Sequence, residues 1–140
     1  MRLMAGKEPG MKVPEDLLYT KNHEWCRIED GTAVVGITDY AQHSLGDITY
    51  VELPEEGQMF QAGKVFGTVD SLKTVAELFA PVSGEVLEIN SGLPNSAELV
   101  NEDPYNDGWM IKVEISDEKE LELLLPAAEY LKLVSKQNKK

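Results

Sequence analysis

Residues 65–79 read VFGTVDSLKTVAELF, and this stretch decides the fold. Two runs rich in Val, Phe and Thr flank a short polar break around Ser71 and Lys73, which is the pattern of a β-hairpin. Lys73 is predicted to lie at or near the tip. Most lysines in turns are simply solvated, but a long amine at the end of a stiff hairpin is well placed to carry a cargo that other proteins must reach.

Short strand-like segments separated by turn residues extend on both sides of this hairpin, over residues 24–114. Residues 24–37 predict a first hairpin, after which Thr38 is predicted to cap a short helix that ends at Gly46. Residues 90–106 are rich in Asn, Pro, Asp and Gly and predict an ordered loop. Many short strands with regular turns favour a mainly β barrel or sandwich over a parallel sheet.

The two ends of the chain differ in character from this β region. Residues 1–14 are predicted to be a flexible N-terminal extension, and residues 15–140 a single domain with C-terminal helices at about 117–135. Asp117 and Glu120 have the spacing of a capping box at the start of the first of these helices. The acidic side chains there, Glu120 included, are expected to be solvated.

Composition excludes several classes of function. The chain has 25 acidic and 13 basic residues and a formal net charge of −12, a field that repels nucleic acids and anionic membrane surfaces. No apolar run is long enough to span a membrane. Cys26 is the only cysteine, so an intramolecular disulfide is impossible, and with two histidines it supplies too few ligands for a zinc site of that kind. A cytoplasmic protein is the expectation.

The region from Asp70 to Val86 resembles the H-protein family of the glycine cleavage system, the lipoyl carriers of that complex. The resemblance extends from Tyr19 to about Val134. It rests on the order and spacing of several fragments: HEW (23–25), VGITDYAQ (35–42), LGDI (45–48), VELP (51–54), APVSGEV (80–86), ELVNEDPY (98–105) and DGW (107–109).

The resemblance implies a lipoyl-domain-like barrel-sandwich hybrid in which Lys73 is the lipoylated residue. In this family, attachment is associated with a glutamate three residues before the lysine and a glycine eleven residues after it. Gly84 meets the second condition, and Asp70 keeps the charge of the first with a shorter side chain. Leu72 and Thr74 replace the commoner Val and Ala. Gly84 is predicted to allow a tight turn, since glycine adopts positive φ freely.

The resemblance also implies that the protein is a carrier without catalytic residues, and a carrier that docks into several enzymes is expected to be a monomer. A pyridoxal-phosphate glycine decarboxylase (P protein) would load an aminomethyl group onto the lipoyl sulfur. A folate-dependent aminomethyltransferase (T protein) would remove it, and dihydrolipoamide dehydrogenase (L protein) would reoxidise the dithiol. Lipoate-attaching enzymes are further partners. Glu24 and Glu77 are the candidates for a cleft that holds the loaded arm, and the alternative is that both are surface glutamates.

Four other interpretations compete with this one. Asp70-Ser71-Leu72 matches the Asp-Ser-Leu of acyl carrier proteins, but there the serine opens a helix, whereas glycine, proline and β-branched residues surround Ser71. A biotin carrier would have methionines beside the lysine, where this chain has Leu72 and Thr74. The remaining alternatives are a lipoyl relay protein that donates lipoyl groups to other enzymes, and an unmodified interaction module.

Overall fold

Two antiparallel sheets form the body of the molecule. The computed structural model describes residues 12–138, which contain ten strands and three α-helices. The strands are β1 (Leu18–Tyr19), β2 (Glu24–Glu29), β3 (Thr32–Ile37), β4 (Ile48–Glu52), β5 (Met59–Phe60), β6 (Val65–Ser71), β7 (Val75–Phe79), β8 (Gly84–Ile89), β9 (Ile111–Ile115) and β10 (Leu125–Pro126). The helices are α1 (Asp39–Leu45), α2 (Glu98–Glu102) and α3 (Ala127–Asn138).

The larger sheet has seven strands in the order β10-β1-β2-β3-β9-β8-β5, and the smaller has three in the order β4-β6-β7. Every described strand pair is antiparallel. Buried side chains from both sheets, such as Val35 and Val113 from the larger and Val69 and Leu78 from the smaller, share one core. The predicted mainly β fold is confirmed, because alternating apolar residues on each strand give both sheets a face to bury.

Local sequence signals place the first hairpin and the first helix. The β2–β3 turn uses Asp30 at φ 48° and Gly31 at φ 82°, the conformation that a two-residue hairpin turn requires. The Thr38 hydroxyl accepts a hydrogen bond from the Ala41 N–H at 3.1 Å, and Gly46 at φ 81° ends α1. The predicted cap and stop of this helix are confirmed.

Residues 90–106 are not the loop that their composition predicts. They contain a 3₁₀ turn, Leu93–Asn95, and the helix α2, in which Leu93 and Val100 are fully buried. The prediction was wrong because two apolar side chains anchor the segment to the core, and tertiary packing outweighs the turn-forming residues around them.

The C-terminal region is helical, but its start differs from the predicted capping box. Residues Glu118–Leu123 form a 3₁₀ helix, and the Asp117 carboxylate accepts from the Lys119 N–H at 3.1 Å. Glu120 is not solvated as expected. Its carboxylate accepts from the Ser83 N–H at 2.7 Å and the Ser83 hydroxyl at 2.8 Å, so it fixes the turn between β7 and β8.

The N-terminal segment contacts the domain at residues 12–14. The Lys12 N–H donates to the Asp39 carboxylate at 2.8 Å, and the Tyr105 hydroxyl donates to the Lys12 carbonyl at 2.6 Å. The Tyr19 hydroxyl donates to the Pro14 carbonyl. Residues 1–11 lie outside the described part of the chain, so the predicted extension over 1–14 and the domain limits stay predictions. No helix within residues 12–138 has the length and apolarity to cross a membrane.

Candidate functional site

A tight turn closes the β6–β7 hairpin and carries Lys73. The Ser71 N–H donates to the Thr74 carbonyl at 2.8 Å, and the Ser71 hydroxyl oxygen accepts from the N–H groups of Lys73 at 3.3 Å and Thr74 at 3.2 Å. These bonds fix the backbone on both sides of the lysine, as serine commonly does in turns. Ser71 therefore closes a β-turn and opens no helix, unlike the serine of an acyl carrier protein.

The Lys73 side chain is exposed at the tip of the hairpin. Over residues 12–138, ion pairs join Lys112 to Glu88 and Lys132 to Glu129, and Lys73 takes part in neither. Its amine is therefore open to a modifying enzyme and is not engaged by a neighbouring carboxylate. The arrangement fits a covalent cargo, because the attachment point is fixed by the turn while the four-carbon stem is free.

Apolar side chains surround the lysine where a soluble domain usually presents polar ones. Leu72 and Val75 are 76% and 63% exposed, and Tyr50 on β4 is 47% exposed. Tyr50 and Val75 flank Asp70 in one row of the smaller sheet, directly below the turn. Exposed apolar side chains grouped in this way mark surfaces that contact other proteins.

The acidic candidates Asp70 and Glu77 lie on the outer face of the smaller sheet. Asp70 pairs with Val75, and Glu77 pairs with Thr68, so the two carboxylates are diagonal neighbours on adjacent strands. Such positions are about 7–8 Å apart in antiparallel sheets. Glu52 continues the second row on β4, opposite Thr68. Asp70 thus lies close to Lys73, and Glu77 is exposed one row farther along.

Glu24 is not a surface residue, and the alternative interpretation of two surface glutamates is wrong for it. Its side chain is 1% exposed and lies between the two sheets. One carboxylate oxygen accepts from the Thr20 hydroxyl at 2.6 Å, and the other from the Phe79 N–H on β7 at 3.0 Å. Burial raises the pKa of the Glu24 carboxyl above its ordinary value of 4.5, and the two hydrogen bonds oppose part of that rise. Glu24 and Glu77 therefore occupy different environments.

Replacement of Glu24 by glutamine is expected to change how stability depends on pH. The pKa of Glu24 is higher in the folded than in the unfolded protein. The contribution of this group to the stability of the wild type is therefore complete below about pH 4.5 and is lost as the pH rises through the folded-state pKa. Glutamine does not ionise, and its amide oxygen can accept from the Phe79 N–H. Urea denaturation at a series of pH values should show the stability of Glu24→Gln relative to wild type increasing with pH.

The matched control for this variant is Glu77→Gln, which makes the same substitution on the exposed face. Its effect on the free energy of unfolding should stay within about 0.5 kcal/mol at every pH, as for most surface substitutions. If the free energies of unfolding of Glu24→Gln and wild type differ by the same amount at every pH, burial does not raise the pKa of Glu24 as assigned.

Gly84 does not serve a tight turn, and that prediction was wrong. Positive φ among the described glycines occurs at Gly31, Gly46, Gly57 and Gly63, whereas Gly84 is the first residue of β8. A Cβ at this position would collide with the Glu114 carbonyl oxygen and would lie 2.6 Å from Val113 Cγ1. The glycine is required because β9 approaches too closely for any side chain.

Gly84 is also distant from the lysine. The five residues of β7 lie between the turn that carries Lys73 and the turn that precedes Gly84. At about 3.3 Å per residue the strand alone separates these turns by roughly 15 Å. The structure therefore brings Asp70, but not Gly84, close to Lys73.

Residues 12–138 contain no group of three His, Cys, Asp or Glu side chains that could hold a metal ion. Cys26 is fully buried, and burial raises the pKa of its thiol well above the ordinary range, so it behaves as a core side chain.

The fold is of the lipoyl-domain class, with an exposed lysine at the tip of a hairpin whose turn is held by hydrogen bonds. Residues 17–137 match the family model described as "Glycine cleavage H-protein". The chain therefore belongs to the glycine cleavage H-protein family, whose members are the lipoyl carriers of the glycine cleavage system.

Individual relatives agree with this assignment. Glycine cleavage system H proteins from Anaeromyxobacter sp. strain K and from Anaeromyxobacter dehalogenans strain 2CP-1 are each 54% identical to the chain over 127 residues, which cover 91% of this chain and 99% of theirs. The crystal structure of a glycine cleavage system H protein from Mycobacterium marinum superposes with a TM-score of 0.77 at 37% identity. It covers 91% of this chain and all of that one.

Proposed function

We propose that Lys73 carries a lipoyl group through an amide at Nζ, and that this arm transfers an aminomethyl group derived from glycine. The observation that carries the proposal is the exposed lysine at the tip of a hydrogen-bonded turn, in a chain that belongs to the H-protein family. Amide formation removes the lysine charge and extends the side chain by a flexible arm that ends in a dithiolane. The protein itself contributes no catalytic residue to the cycle.

The proposed partners are the P, T and L proteins and the enzymes that attach lipoate. The exposed side chains of Leu72, Val75 and Tyr50 provide apolar contact area around the attachment point. Asp70 adds a carboxylate at the same place, and the net charge of −12 favours partners with basic rims. Asp70 is proposed to contribute to recognition by the attaching enzyme. A carrier that docks in turn with several enzymes is expected to be a monomer, and the single buried thiol is compatible with the cytoplasm.

The role of Glu24 and Glu77 in holding the loaded arm also stays a proposal. A cationic aminomethyl amine would find an exposed carboxylate at Glu77. At Glu24 it would have to share oxygens that already accept from Thr20 and Phe79. If the arm uses these groups, Glu24→Gln or Glu77→Gln should shorten the lifetime of the aminomethyl form in water, and an unchanged lifetime in both would sink the idea.

Glycine-dependent loading tests the proposed function directly. The protein is isolated from its native cells, and intact mass with peptide mapping locates any modification. A lipoyl-sized addition on Lys73 is expected, followed by a further aminomethyl addition when the partner-free protein, with its lipoyl group oxidised to the dithiolane, is incubated with glycine and P protein. Biotin on Lys73 or phosphopantetheine on Ser71 would overturn the proposal. Lipoylation without glycine-dependent loading would indicate a relay role.

A further inference from the structure

The turn that carries Lys73 is supported from below by the loop between α1 and β4. The Leu72 N–H donates to the Asp47 carbonyl at 3.1 Å, which joins the tip of the hairpin to this loop. Gly46 lies under the lysine, since a Cβ there would be 3.8 Å from Lys73 Cε. Because the side chains of Leu72 and Lys73 are exposed, packing does not fix the tip. The hydrogen bond to the Asp47 carbonyl therefore adds to the hairpin's own bonds in fixing where the tip lies.

One side chain holds the residues on both sides of Asp47. The Asn101 amide nitrogen donates to the Gly46 carbonyl at 2.9 Å, and its carbonyl oxygen accepts from the Ile48 N–H at 2.9 Å. The second amide hydrogen goes to the Gln42 side-chain oxygen at 2.8 Å. The Asn101 side chain thus supplies the hydrogen-bond partners of backbone groups in the loop between the end of α1 and the start of β4.

Asparagine is well suited to this position. It provides two donors and an acceptor on one short rigid group, a set that aspartate, alanine and serine lack. The residue comes from α2, which the buried Val100 anchors in the core, so the loop is tied to a rigid element. Gln42 in turn donates to the Asp39 carboxylate at 2.7 Å, which extends the connection into α1.

We propose that Asn101 is a positioning residue for Lys73, acting through Gly46, Asp47 and Ile48 on the backbone of the lysine turn. It does not touch the lysine itself. By fixing the tip before an enzyme arrives, it reduces the conformational freedom that must be lost on docking. The expected effect of Asn101 on lipoate attachment rests on the proposed function, whereas its expected effect on the mobility of the lysine turn does not.

The test compares Asn101→Asp with Asn95→Asp. Both variants convert an asparagine amide to a carboxylate in the helical segment that follows β8, but the Asn95 side chain is exposed at the end of the Leu93–Asn95 turn. Hydrogen exchange followed by NMR should show the Leu72 amide exchanging about tenfold faster in Asn101→Asp, because local opening no longer has to break the Asn101 contacts. The amides of Cys26 and Val35, paired in the larger sheet, should not change.

Attachment kinetics with a purified lipoate ligase and the unmodified protein provide the second readout. Asn101→Asp should raise KM for the protein about fivefold with kcat within a factor of about two, since binding and not chemistry needs the pre-formed turn. Asn95→Asp should behave like the wild type. Gln42→Met removes the third hydrogen bond of Asn101 and the bond from Gln42 to Asp39, but leaves the bonds of Asn101 to Gly46 and Ile48 in place. It should act in the same direction with a smaller effect, and it replaces Asn101→Asp if that variant does not fold.

Each other outcome contradicts the proposal. An unchanged Leu72 exchange rate would show that Asn101 does not fix the tip, and equal acceleration of all amides would show a purely structural role. Faster exchange at Leu72 with unaltered KM would show that the fixed tip is irrelevant to docking. If the wild type is not lipoylated at all, the proposed function fails, while the exchange rates still decide whether Asn101 positions the turn.

Discussion

Replacement of Lys73 by arginine is expected to abolish lipoyl attachment and, with it, all glycine-dependent loading. Arginine keeps the charge and approximate length of the side chain, but its guanidinium does not lose its proton in proteins and so supplies no nucleophilic amine for an amide bond. The side chain at position 73 is exposed and forms no ion pair over residues 12–138, so the fold should be unaffected. Intact mass after incubation with lipoate ligase measures the result.

Lys64→Arg is the matched control for this experiment. Lys64 is also exposed and also adjoins β6, but at the strand end opposite to the turn. This variant should be lipoylated at the wild-type rate. Residual lipoylation of Lys73→Arg would mean that a different lysine is the attachment point, and the proposed function would lose its site.

Replacement of Gly84 by alanine is expected to destabilise the protein by about 3 kcal/mol, because overpacking against backbone leaves no flexible side chain to move aside. The added methyl group would meet the Glu114 carbonyl oxygen and the Val113 side chain, so β8 and β9 would have to separate. Urea denaturation followed by circular dichroism gives the free energy of unfolding. The same variant should lose lipoyl attachment only to the extent that it unfolds.

Gly92→Ala separates this steric effect from the general cost of replacing glycine. Gly92 has φ −81°, and a Cβ there would contact nothing within 4 Å. Alanine at such a position should leave the free energy of unfolding unchanged or raise it by about 0.5 kcal/mol, since it restricts the unfolded chain. A Gly84→Ala protein that is as stable as wild type yet is not lipoylated would instead assign Gly84 to recognition by the attaching enzyme.

Short-range signals allowed much of the fold to be predicted. The β2–β3 hairpin, the Thr38 cap and the turn at Lys73 each depend on residues adjacent in sequence, and each is present in the structure. The order and spacing of the family-like fragments predicted the H-protein family, which the family model and the relatives confirm. The hairpin, the cap and the turn could be predicted because their physical cause lies within a few residues.

The failures have a common cause in contacts between distant segments. The buried Glu24 carboxylate accepts a hydrogen bond from the N–H of Phe79, which is 55 residues later in the chain. The Glu120 carboxylate accepts one from Ser83, which is 37 residues earlier. Asn101 lies in the ELVNEDPY fragment, yet its role depends on Gly46 and Ile48, more than 50 residues earlier. A polar residue in a strand or helix gives no local sign of which distant partner will take up its hydrogen bonds.

By itself, the sequence determined the family through the order and spacing of its motif fragments. It determined the hairpin and the lysine at its tip through hydrophobic alternation and turn residues in neighbouring positions. Only the tertiary structure decided what surrounds that hairpin. It showed that Gly84 makes room for β9, that Glu24 joins the two sheets, and that Asn101 holds the loop beneath Lys73. Those roles depend on which strands and helices become neighbours in space, and that follows from packing one shared core.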